Sequence, residues 1–138
     1  MSVLKIGNSE FELNAENSYL KINNSAFDLY IQLDFFASNF DGENISPSIQ
    51  INHIKFDNNE DFSNFNFHVD TVEEAAKRED LLYTFEHEPF VNYKLLINVK
   101  NDNYAHITLE GKAITDGYST PYKQDKIIFD GDVLVKRD

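Results

Sequence analysis

Apolar and polar positions alternate with a period of two along most of this chain, the signature of strands with one buried face and one wet face. The alternation is plainest from Phe27 to Phe36, where Phe27, Leu29, Ile31, Leu33 and Phe35 interleave with Asp28, Tyr30, Gln32 and Asp34. Leu4-Lys5-Ile6 and Glu10-Phe11-Glu12-Leu13 flank Gly7-Asn8, a two-residue turn that predicts a hairpin. Ser18 to Ile22 predicts another short strand, followed by a turn at Asn23-Asn24-Ser25. Between Ile45 and Phe56 the phase changes: Ile49 and Ile51 share one face, Ile54 and Phe56 the other. A β-bulge near Asn52-His53 reconciles them. Phe65, Phe67 and Val69 alternate again.

In the second half, Tyr93, Leu95, Ile97 and Val99 alternate, Asn101-Asp102-Asn103 makes a turn, and Ile107, Leu109, Gly111 and Ala113 follow in one phase. This predicts an antiparallel hairpin. Ile127, Phe129, Val133 and Val135 mark a last strand. One helix interrupts the pattern. Thr71 stands three residues before Glu74 in capping-box form, with Lys77 and Arg78 toward the far end, so a short helix is predicted over residues 71–80. A helix this short needs a sheet to pack on. The expectation is one mainly β domain over residues 1–138: an antiparallel β-sandwich or open barrel of seven to nine strands with one short helix.

The chain's 138 residues can bury a core without a disulfide or metal, and it has no cysteine. That excludes thiol catalysis, a disulfide framework and cysteine-ligated zinc. Residues 1–7 show no apolar run or cleavage site, and no stretch approaches a membrane span, so a cytoplasmic location is expected. Twenty-four acids oppose 12 bases, a net charge of −12. Such a balance disfavours direct contact with nucleic acid or an anionic membrane, which needs Lys and Arg, and favours a basic protein partner.

Candidate chemistry is sparse. His68 and Asp70 share a strand face, as do Glu86 and Glu88, but neither pair makes a metal site, and no HExxH, GxSxG, phosphate-cradling glycine loop or EF-hand occurs. No cofactor and no catalytic residue is expected. Two loops stand out as partner contacts. Asp57, Glu60 and Asp61 form an acidic loop. Asp116, Tyr118 and Tyr122 lie on a second, where tyrosines offer large contact area with a polar tip. Between Ile6 and Ile54 the only base is Lys21, against seven acids, which predicts a nearly base-free surface on the early strands, the best candidate for an acidic docking patch.

Residues 72–80 running into Phe85-Glu86-His87-Glu88-Pro89, and Gly111 through Asp116-Gly117-Tyr118 to Pro121-Tyr122, resemble the small acidic immunity proteins of bacterial toxin–immunity systems, including contact-dependent growth inhibition. The resemblance covers the C-terminal half. It implies a cytoplasmic inhibitor that binds one toxin domain, often a basic nuclease, and carries no particular contact residue with it. The alternative reading is a β module with a barrel mouth that takes an apolar or sugar ligand.

Overall fold

A computed structural model describes residues 2–137; the two ends of the expected 1–138 domain lie outside the described residues. Twelve strands and one α-helix make up the fold. They are β1 (Val3–Ile6), β2 (Ser9–Glu12), β3 (Tyr19–Asn23), β4 (Asp28–Asp34), β5 (Ser38–Phe40), β6 (Glu43–Ile45), β7 (Ser48–Lys55), β8 (Phe65–Val69), α1 (Val72–Arg78), β9 (Leu81–Tyr83), β10 (His87–Val99), β11 (Tyr104–Asp116) and β12 (Lys123–Arg137).

The mainly β expectation holds, but the architecture is a closed mixed barrel. Seven strands run round it in the order β11-β10-β9-β7-β4-β3-β12, and β12 pairs back onto β11 to close the ring. Closure turns on the length of β12. One edge of it pairs with β11 from Tyr104↔Leu134 to Asp116↔Lys123. Its other edge is shared: Ile127 to Asp130 pair with β1, and Leu134 to Arg137 pair with β3. The β12–β3 pairing is parallel, which the purely antiparallel expectation did not include. Pattern reading recovers strands but not the direction in which distant ones meet, because alternation is identical either way.

The β1–β2 hairpin forms at Gly7-Asn8 as predicted, with Gly7 at φ +58°, a conformation glycine adopts without strain. The β10–β11 hairpin likewise follows its predicted turn. The bulge falls where the phase change requires it. β4–β7 register slips between Leu29↔Ile54 and Ile31↔Ile51, and His53 takes φ +51°. Leu29, Ile31, Ile49, Ile51 and Ile54 all then face inward. One continuous cluster of apolar side chains occupies the interior, from Leu4 and Leu20 to Phe90 and Phe129. Phe27, expected inward, instead sits at φ +54° in the turn before β4 and is 40% exposed.

Helix α1 starts as the capping pattern demands, Thr71 Oγ1 accepting from the Glu74 amide at 3.2 Å. It ends at Glu79 in the left-handed region. That turn delivers Asp80, which is fully buried, to the bulge. Asp80 accepts from the Asn52 amide (2.9 Å), from Arg78 Nε (2.8 Å) and from the Tyr93 hydroxyl (2.5 Å). Arg78 also donates to the Asn52 carbonyl. Burial, then the Asp80 charge, holds the Tyr93 phenol far above its ordinary value. The single acid thereby ties α1, the β7 bulge and β10 together across the side of the barrel.

Asp80→Ala should lower unfolding free energy by about 3–5 kcal/mol, because it leaves the half-buried Arg78 charge and the buried Tyr93 hydroxyl without their partner. Urea denaturation measures this; a loss below about 1 kcal/mol would show that the network is not a structural tie.

Candidate functional site

The two loops that the sequence singles out lie at opposite ends of the barrel. Asp57, Glu60 and Asp61 follow β7 and precede β8, at the end where Asp28 pairs with Lys55 and Tyr104 with Leu134. Asp116, Tyr118 and Tyr122 link β11 to β12 at the other end, beside the β9–β10 connection.

The first loop is held by its own acids. The Asp61 carboxylate accepts from the Ser63 amide at 3.1 Å and the Ser63 hydroxyl at 3.0 Å, which holds its pKa below the ordinary range. Glu60 accepts from the Phe62 amide at 3.3 Å. Phe62 is buried, packed edge-on against Phe56 with ring centroids 4.9 Å apart. These carboxylates shape a turn as well as facing solvent.

The second loop belongs to a larger assembly. Asp116 Oδ1 accepts from the Tyr118 amide at 2.9 Å, an Asx turn that leaves Tyr118 74% exposed. Tyr122 is 62% exposed after a cis Thr120–Pro121 bond. The β5–β6 hairpin brings Asp41 and Glu43 alongside, and the β9–β10 turn brings Phe85. Asp41, Glu43, Phe85, Asp116 and Tyr118 line a shallow groove of about 400 Å³. Beneath it Phe85 packs on the buried Phe40, centroids 6.0 Å apart. Lys123 lies over the Phe40 ring and forms an ion pair with Asp41.

Glu86 and Glu88 complete this end, on the shared face that strand alternation gives them. Hydrogen bonding from the Tyr118 hydroxyl, then from Glu88, holds Glu86 below its ordinary pKa. Desolvation, then the neighbouring Glu86, pushes Glu88 up. Glu88 reaches in over Gly117, its Oε2 lying 1.8 Å from where a Cβ would stand, so a larger residue there would only turn this mobile carboxylate aside. Five carboxylates and the exposed Tyr118 thus gather at the end marked by Phe85, with Lys123 reaching in at the edge and Tyr122 exposed farther along the same loop. The sequence marked Glu86 and Glu88 only as a same-face pair; their position just before Pro89, opposite the tyrosine loop, needs the β9–β10 pairing to be seen. Nothing in the local pattern marks Asp41, Glu43 and Phe85 as their neighbours.

Elsewhere the predicted base-free surface is not found. Asp28, expected on the wet face, is buried, its carboxylate 3.5 Å from Lys55 Nζ and 3.6 Å from His53 Nδ1. Lys77 and Arg78 arrive from α1, and Lys136 lies 4.2 Å over the Tyr19 ring. Bases distant in sequence converge there because β3 lies between β12 and β4. His68 and Asp70 do meet, 3.5 Å apart and both well exposed. On β11 and β12, His106 is clamped between Asp132 (2.7 Å) and Asp130 (2.5 Å); hydrogen bonding to Asp132 leads in raising its pKa. Among the described residues no group of three or more His, Asp or Glu is arranged to hold a metal ion, and no helix is long and apolar enough to cross a membrane.

No protein-family model, curated protein or solved structure matches this chain.

The carboxylate pair at this end has a signature in pH. Folding raises the Glu88 pKa, so its ionisation costs stability as pH rises through the folded value. Glu86, held low, contributes stability that is lost as pH falls through its lowered value. Glu88→Gln should therefore raise Tm at neutral pH, and the gain should vanish near about pH 3, roughly a unit below the ordinary glutamate value. Thermal scans across this range check it; a Tm lowered at neutral pH would contradict the assignment.

Proposed function

We propose that this chain is a binding protein that neutralises a basic protein partner, docking it on the barrel end built from the β5–β6 hairpin, the β9–β10 turn and the loop between β11 and β12. The observation that carries this reading is the grouping of Asp41, Glu43, Glu86, Glu88 and Asp116 around exposed Tyr118, with Tyr122 exposed on the same loop. Carboxylates of one sign steer a cationic partner into encounter, and aromatic side chains that bury their area on contact set how long it stays. The tyrosine loop is favoured over the Asp57–Asp61 loop because its carboxylates border the exposed Tyr118, whereas the aromatic residue of the other loop, Phe62, is buried.

The particular role that the resemblance implies is an immunity protein that blocks a bacterial toxin domain, a nuclease being the partner with most need of a cationic surface. Carboxylates placed over that surface would stand where phosphates otherwise lie. No step of this reading uses a cofactor or a catalytic residue. Apolar side chains occupy the barrel interior, which leaves recognition to the outer surface.

The test is stopped-flow association with basic nuclease domains of bacterial toxins, taking the one that forms a complex with this chain. The association rate should fall steeply with ionic strength, and Glu86→Lys with Asp116→Lys should slow it by about tenfold or more at low salt. Association indifferent to both salt and charge reversal would overturn the reading.

A further inference from the structure

The barrel wall carries a second surface of a different chemistry, sharing no residue with the acidic end. Across β3, β4 and β7 the register sets outward side chains in rows. Tyr19 stands opposite Gln32, and Gln32 opposite Gln50. Lys21 stands opposite Tyr30, next to the bulge that carries Asn52. Between these rows runs an open groove of about 390 Å³, within the roughly 300–1,000 Å³ typical of small-molecule sites. On a chain with 24 acids, no carboxylate lines it, and its one charged lining residue, Lys21, is already engaged within the protein.

Its amides are held in one sense. Gln32 Nε2 donates to Asp34 at 2.6 Å, and Asn52 Nδ2 donates to the Glu79 carbonyl at 2.7 Å. Each is fixed through one N–H, which leaves its carbonyl oxygen as an acceptor and its second N–H as a donor. The Gln50 amide has no hydrogen-bond partner among the described residues, so it offers donors and an acceptor. The Tyr30 hydroxyl is 2.9 Å from His53 Nδ1, which fixes the ring. Carbonyl acceptors set beside N–H donors suit a ligand whose hydroxyls both donate and accept. Tyrosine rings beside them suit the apolar C–H face of a pyranose ring.

We propose that this groove binds a neutral saccharide, with Gln32, Gln50 and Asn52 accepting from its hydroxyls and Tyr19 and Tyr30 bordering its ring. The pinned amides give the selectivity: vicinal hydroxyls satisfy both their oxygens and their remaining N–H groups, whereas an ionised phosphate or carboxylate leaves the oxygens without a donor. The inference stands apart from the docking of a basic protein, since the two surfaces occupy the side and one end of the barrel.

The experiment is capture on a panel of immobilised oligosaccharides, neutral and anionic, using the full chain and two variants, Gln50→Ala and Tyr19→Ala. Neither residue belongs to the buried core, so circular dichroism and urea midpoints should match the parent. Neutral oligosaccharides should be retained by the parent, and retention should fall roughly tenfold in each variant, the scale of one lost hydrogen bond or ring contact. For any oligosaccharide retained, the side-chain amide signals of Gln32 and Gln50 should shift on titration in NMR. Three results would each overturn the proposal: no retention by the parent, retention unaffected in both variants, or retention confined to anionic sugars and abolished by salt.

Discussion

Closure of the barrel rests on one strand that serves three neighbours. β12 pairs with β11 from Lys123 to Leu134, while its other edge meets β1 over Ile127–Asp130 and β3 over Leu134–Arg137. A sheet that curls back on itself has no edge in its ring, so its backbone groups are paired and its inner face is shielded without a covering layer. Everything of functional interest is then pushed to the rim and the outer wall. The acidic end exists because closure places the β11–β12 loop beside the β9–β10 turn and the β5–β6 hairpin. The amide-lined groove exists because the parallel β12–β3 contact brings β3 out as a wall strand with β4 and β7 beside it.

The ring is thinnest at β9, only Leu81–Tyr83, which bridges β7 and β10. Asp80, immediately before it, reinforces that point. Its carboxylate binds the backbone of the bulge, the guanidinium of α1 and the Tyr93 hydroxyl of β10. A buried ion pair is weak support for stability by itself, because desolvation offsets much of the attraction. Here its geometric consequence is the larger one: it sets where β7 ends its pairing with β9 and where the helix leaves the wall. The bulge that Asp80 grips also determines which of Asn52 and His53 borders the groove.

Much of this was legible in the sequence, and the limits have physical causes. Alternation located nearly every long strand, and the phase change between Ile51 and Ile54 located the bulge to the residue pair where it occurs. Thr71 and Glu74 located the start of α1. Leu81–Tyr83 and the two strands of the β5–β6 hairpin were too short for a period to register. Closure and the parallel pairing were beyond reach because they depend on contacts between residues more than a hundred positions apart, such as Leu20 with Val135. For the acidic end, loop chemistry exposed Asp116, Tyr118 and Tyr122 but not their companions Asp41, Glu43 and Phe85. The predicted base-free surface failed for the same reason: counting charges along a segment cannot see Lys55, Lys77 or Lys136 folding onto it.

The docking claim is tested most directly by hydrogen–deuterium exchange of the chain with and without its basic partner. Slowed exchange should fall on residues 38–45, 84–88 and 116–123, at one end of the barrel. Slowed exchange confined to the 57–64 loop, or none at either end despite a formed complex, would contradict it.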